Sequence, residues 1–173
     1  MENKDLMKLL DEVQGDGDNT PKEKRIVLID ALNLFFRNFA VIGTLNSEGA
    51  HVGGLGGFFR SLGALIRNLE ADQVYVVFDG IGSSNNRKNL IPEYKSGRNT
   101  SRITNWEAFD SYEDESNSQV DQIVRIAQYL KTLPVKTVVI DKVEADDVIA
   151  YVGEKLSHNK ENKVFIVSSD KDY

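Results

Sequence analysis

RIVLIDALNLFF, residues 25–36, decides how the chain is read. Its first six residues are an apolar run closing on Asp30, and ALNLFFRNF behind them is compatible with a helix. The same unit recurs. QVYVVFD (73–79) is a second β-rich run ending in aspartate, VKTVVID (135–141) a third, and KVFIVSSD (163–170) a fourth. Helical patterns lie between them. GGLGGFFRSLGALIRNL (53–69) turns Phe58, Leu62, Leu65, Ile66 and Leu69 inward. SQVDQIVRIAQYLKTL (118–133) does so with Val120, Ile123, Val124, Ala127 and Leu130, and EADDVIAYVGEKLS (144–157) with Ala145, Val148, Ile149, Val152 and Leu156. Strands alternating with helices predict an α/β fold, a Rossmann-like parallel sheet covered on both faces. Ligands of such sheets bind beyond the carboxyl ends of the strands, where Asp30, Asp79 and Asp170 fall.

Outside this rhythm, residues 4–14 are compatible with a short helix, and GDGDNTP (15–21) reads as linker. Residues 1–23 are therefore taken as an extension and 24–173 as one domain. A long polar segment, about 80–117, interrupts the alternation after the second strand.

The chain has 173 residues, no cysteine and only two histidines, His51 and His158. Disulfides, thiolate zinc sites and cysteine nucleophiles are excluded, and a Ser-His-Asp hydrolase is disfavoured. No apolar run approaches the roughly 20 residues that span a bilayer, and the N-terminus lacks a signal-peptide pattern. A cytoplasmic protein without a membrane partner is expected. The formal net charge is −6, of which residues 1–23 carry −4. An acidic total does not exclude nucleic acid when basic groups are segregated.

The acids ask for an explanation. Asp141 with Glu144 resembles a capping box, and Asp146 and Asp147 would complement the dipole of the helix they open. Each reading suffices for its own residue. Together, however, Asp30, Asp79, Glu144, Asp146, Asp147, Asp170 and Asp172 would converge on one rim of one sheet. Two carboxylates 4 Å apart repel by about 4 kcal/mol at an effective dielectric of 20. Oxygen ligands without His or Cys point to Mg²⁺ or Mn²⁺. Two such ions suit phosphoryl transfer, activating water and stabilising the leaving oxygen. RKNLIPEYKSGRNTSR (87–102) supplies the complement: Arg87, Lys88, Lys95, Arg98 and Arg102 against one acid, with Tyr94 among them and Trp106 close behind. Cations hold phosphates, and aromatics stack on bases. The following acids, Glu107 to Glu115, read as the other half of the loop.

IDALNLFFR, VVFDG, RKNLIPEYKSGR, EADDVIA and SSDKDY, in this order, resemble the 5′-nuclease family, which includes the 5′-3′ exonuclease domain of bacterial DNA polymerase I and phage flap endonucleases. The resemblance covers about 25–173. It implies a PIN-like fold and Mg²⁺-dependent hydrolysis of phosphodiester bonds in DNA with a 5′ end or 5′ flap, during replication or repair, in a bacterial cell or encoded by a phage. By motif it assigns the seven acids to metal binding, with Asp30, Asp79, Asp146 and Asp147 central to catalysis. It places Arg87, Lys88, Tyr94, Lys95 and Arg98 on the DNA at the base of an arch, Lys88 and Lys95 acting electrostatically at the scissile phosphate; Arg102 joins them as a DNA-binding candidate from the basic composition of the stretch alone. Gly53, Gly54 and Phe58 resemble a glycine-led helix near the duplex; turn and core packing explain them equally well. The helix-hairpin-helix part of the family is absent from these 173 residues. A fragment, a separate polypeptide supplying the remainder, or a DNA-binding subunit that does not cut are the readings this leaves. A PIN-type ribonuclease, or action on RNA–DNA hybrid, is the alternative within enzymes.

Overall fold

Ile26, Val27, Leu28 and Ile29 are all buried, at 1% exposure or less. Successive residues of a strand point to opposite faces, so a run buried on both belongs in the middle of a covered sheet. That is where the structure puts it. The computed structural model describes residues 23–83 and 103–169. Its elements are β1 (Lys24–Asp30), α1 (Ala31–Val41), α2 (Gly53–Asn68), β2 (Gln73–Phe78), α3 (Tyr112–Leu130), β3 (Lys136–Val139), α4 (Ala145–Ser157) and β4 (Asn162–Val167). The strands form one parallel sheet in the order β3-β2-β1-β4.

The two sides of β1 head separate cores. Val27 and Ile29 pack with Phe35 and Phe39 of α1, Phe58 and Leu62 of α2, and Ile126 and Leu130 of α3. Ile26 and Leu28 pack with Ala145, Val148 and Ile149 of α4. Connections from β1 run to β2 and then β3, whereas the crossover through α4 returns past β1 to β4. The winding therefore reverses between β1 and β4, the place where open α/β sheets bind ligands.

α1 and α2 approach closely because the glycines of GGLGG have no side chains. A Cβ on Gly54 would lie 2.4 Å from Phe35 Cε2, and one on Gly53 only 1.6 Å from the Ile42 carbonyl oxygen. Packing is thus a sufficient reason for both glycines, and Phe58 is a fully buried core residue.

Three expectations need correction. The helix expected over 118–133 spans 112–130, so the end of the polar segment is helical. The acids there are a helix start: the Ser111 hydroxyl accepts from Asp114 N at 3.1 Å, and Glu113, Asp114 and Glu115 fill the first turn, where the dipole favours negative charge. Its buried face also differs. Glu115, Gln122, Ile126 and Leu130 are inside, while Val120 and Val124 are about half exposed. Finally, Asp141 does not cap α4. The N-cap residue is Glu144, and its side chain makes no capping hydrogen bond. The chain turns between β3 and α4 with Lys142 at φ 63°, which puts Asp141 before the turn.

The inward polar residues of α3 form a small buried network. Glu115, 1% exposed, accepts from Thr104 N at 2.9 Å and Asn105 N at 2.8 Å. Gln122 accepts from Leu55 N at 2.9 Å, supplying the side-chain cap that α2 lacks at Val52. Its amide also donates to the His51 carbonyl at 2.9 Å and faces His51 Nδ1 at 3.3 Å. His51 Nε2 lies 2.8 Å from the Ile42 carbonyl. A carbonyl only accepts, so that nitrogen carries the proton and Nδ1 is the acceptor. Burial pushes the His51 pKa below its usual 6.5, against the opposing pull of the Ile42 carbonyl and Glu115.

Candidate active site

The rim beyond the strand ends is built by side chains that first serve the backbone. Asp30 ends β1 and is the N-cap of α1, its Oδ1 accepting from Asn33 N at 3.0 Å. Asp79 follows β2 directly. Its Oδ1 accepts from Ala145 N at 2.7 Å, so the second strand end caps a helix that begins 66 residues later in the chain. That bond brings Asp79 against the start of α4, where Glu144, Asp146 and Asp147 stand. Since β1 and β2 are neighbours, with Asp30 in register with Val77, Asp30 stands on the adjoining strand of the same rim. β4 is tied in by Asn33, whose Oδ1 accepts from Ser169 N at 3.1 Å and Ser169 Oγ at 2.9 Å.

Gly80 makes the meeting of Asp79 and α4 possible. A Cβ there would lie 1.8 Å from the Ile140 carbonyl oxygen. Without one, the chain after β2 lies directly on the chain after β3, through Gly80 N to the Val143 carbonyl at 3.1 Å and Lys142 N to the Ile81 carbonyl at 3.0 Å. The glycine of VVFDG is thus a close-approach residue.

Glu144 is buried, Asp146 half-buried, and Asp79 and Asp147 exposed. These are carboxylates with no imidazole or thiol among them, a donor set that suits a hard divalent cation. Asp30 and Asp79 each commit one oxygen to a helix cap. Among the described residues, no three acids or histidines are grouped closely enough to hold one ion. Asp170 and Asp172 lie outside the described residues. So do Arg87, Lys88, Tyr94, Lys95, Arg98 and Arg102.

Sequence reasoning missed Asn33 and Gly80 as the residues that hold this rim together, and Glu115 and Gln122 as the partners of the 104–105 turn and of the start of α2. The Ser111–Asp114 spacing of α3 was readable as a capping signal. No local pattern marks Asp79 as the cap of a distant helix, or Gln122 as the cap of α2. No helix among the described residues is long and apolar enough to cross a membrane.

Comparison with known proteins agrees with the fold. Solved structures of a bacteriophage T5 flap endonuclease are similar. A pseudo-enzyme–product complex with DNA and metal ions matches with TM-score 0.61 and 22% identity, covering 86% of this chain and 50% of that one. A form with divalent zinc ions bound matches with TM-score 0.63 and 23% identity. Among proteins of known activity, the 5′-3′ exonuclease of Aquifex aeolicus is 31% identical over 150 residues, covering 86% of this chain and 46% of its own length. DNA polymerase I of Borreliella burgdorferi is 29% identical over 152 residues, 86% of this chain and 15% of the polymerase. The chain thus spans about half, or much less, of the relatives it matches. The profile of the 5′-3′ exonuclease N-terminal, resolvase-like domain matches residues 25–173. That match places the chain in the 5′-3′ exonuclease family, over its N-terminal domain.

Proposed function

We propose that this chain is the catalytic domain of a divalent-metal-dependent nuclease that hydrolyses DNA phosphodiester bonds at a 5′ end or 5′ flap. The observation that carries the proposal is the Asp79–Ala145 hydrogen bond. It joins a strand-end carboxylate to an acidic helix start on the rim where Asp30 also stands, beside the reversal in sheet winding.

In this reading Asp30, Asp79, Glu144, Asp146 and Asp147 hold Mg²⁺ or Mn²⁺, with Asp170 and Asp172 completing two sites. Bound there, the ions would activate water and offset charge on the leaving oxygen. The protein's own part is orientation. The caps on α1 and α4 fix the carboxylates of Asp30 and Asp79, so little reorganisation remains when substrate arrives. Arg87, Lys88, Lys95, Arg98 and Arg102 would bind the phosphates, Tyr94 would meet a base, and Lys88 and Lys95 would stabilise the reacting phosphate. The DNA or metal in the T5 complexes belongs to those proteins; it supports this reading by fold only.

The test is cleavage of a 5′-labelled flap duplex with Mg²⁺ and with EDTA, on the protein and on Asp146→Ala. Metal-dependent cutting near the junction is expected, abolished by the substitution while DNA binding survives. Cutting that Asp146→Ala leaves unchanged would refute the site. DNA bound with strong salt dependence but never cut would favour a non-catalytic subunit, or one needing a complementing polypeptide. Preferential cutting of RNA or of RNA–DNA hybrid would move the substrate assignment.

A further inference from the structure

Trp106 is the sole tryptophan of the 173 residues, and it is 74% exposed. A single exposed ring is ordinary on a protein surface. Its setting is ordered. Two residues before it, buried Glu115 clamps the backbone N–H groups of Thr104 and Asn105. The Asn105 side chain donates to the Phe39 carbonyl at 2.8 Å, and the Asn105 carbonyl accepts from Ala108 N and Phe109 N at 2.9 and 3.1 Å. Phe109 then stacks on Phe39, with ring centroids 6.0 Å apart. Trp106 therefore stands at the tip of a fixed turn. It borders a cavity of about 230 Å³, whose other walls include Gly43 and Leu45 of the α1–α2 connection, Ala108 and Glu107. The facing connection is fixed too, by the Leu45–His51 bridge and by Val52 N to the Thr44 carbonyl at 2.9 Å.

We propose that Trp106 is a stacking platform for one unpaired nucleobase, with Glu115 and Asn105 as the positioning residues that preorganise it. The proposal rests on the nuclease reading above. The recess is smaller than the roughly 300 Å³ at which pockets begin to enclose a drug-sized ligand, and it suits a single planar ring. Glu107 in its wall repels a phosphate and can only accept hydrogen bonds, so a base enters and the sugar-phosphate stays outside. Stacking needs no particular base, as expected where a strand must be held whatever its sequence.

The lone indole is its own probe. Tryptophan emission is titrated with a duplex bearing a 5′ single-stranded overhang and with its blunt counterpart. Saturable quenching by the overhang duplex alone is expected. Trp106→Ala should weaken overhang binding about tenfold and leave blunt-duplex affinity unchanged, and Trp106→Phe should restore most of the overhang affinity. The proposal is overturned if overhang DNA binds without altering the emission, or if Trp106→Ala binds it as the wild type does. An emission change that tracks protein concentration without DNA would overturn it in favour of a contact between copies. Wild-type protein that binds overhang DNA with quenching but never cuts would refute the nuclease reading and uphold the platform.

Discussion

Asp79 holds a helix and, in the proposed function, a metal ion, and substitution can separate these roles. Asp79→Asn keeps an oxygen where Oδ1 accepts from Ala145 N at 2.7 Å, but discards the charge. Asp79→Ala discards both. An N-cap side chain contributes about 1 kcal/mol, within a range of roughly 0.5–2, and a hydrogen bond to a charged group about 1.5–3 kcal/mol. Asp79 is exposed, so the lower ends apply and Asp79→Ala should cost about 1–2 kcal/mol. For a chain of this size 1 kcal/mol moves Tm by about 2–4 °C, which predicts a fall of about 2–8 °C. Asp79→Asn should lose less than half of that. Both variants should lose metal-dependent cleavage alike, since an amide is a poor ligand for a hard cation. Thermal unfolding followed by circular dichroism, beside flap cleavage under Mg²⁺, reads both quantities. Equal destabilisation by Asn and Ala would refute the cap, and cleavage surviving in Asp79→Asn would refute the ligand.

Gly80→Ala should cost about 1–3 kcal/mol and cut activity further than stability, because the clash with the Ile140 carbonyl displaces the start of α4; denaturant unfolding and cleavage rates check this. Glu115→Ala strands the N–H groups of Thr104 and Asn105 and should cost about 3 kcal/mol, with limited proteolysis opening first near 103–108. His51 has a lowered pKa when folded. The unfolded chain therefore binds its proton first, and this contribution to stability is whole above about pH 6.5 and lost as pH falls toward the folded pKa. Tm should decline from pH 7 to pH 5, and His51→Gln should remove that part of the slope.

The alternation of strands and helices was legible because β1 is apolar on both faces and ends on Asp30, and every strand found matches a run read from the sequence. The acids of α4 were legible as a set because three fall in four residues. What escaped was long-range. Nothing near Asp79 announces that it caps Ala145, and nothing near Gln122 announces Leu55. The inward face of α3 was misread because Val120 and Val124 carry the apolar signal while Glu115 and Gln122 hold the buried places. A polar residue goes inside when backbone groups there need a partner, and that need is set by segments far away in the chain. The basic stretch 87–102 keeps its reading from composition and resemblance, outside the described residues.

The sheet order also has a consequence for biogenesis. β1 is synthesised early, yet Val27 pairs on one side with Val74 and on the other with Phe165. A ribosome adding about 5–20 residues per second leaves the second edge of β1 open for on the order of ten seconds. During that time the unpaired N–H and C=O groups of that edge are available to any extended segment. Non-local parallel pairing of this kind folds slowly. The central strand should therefore be the region on which nascent-chain chaperones act, and overexpression at lower temperature should improve the soluble yield.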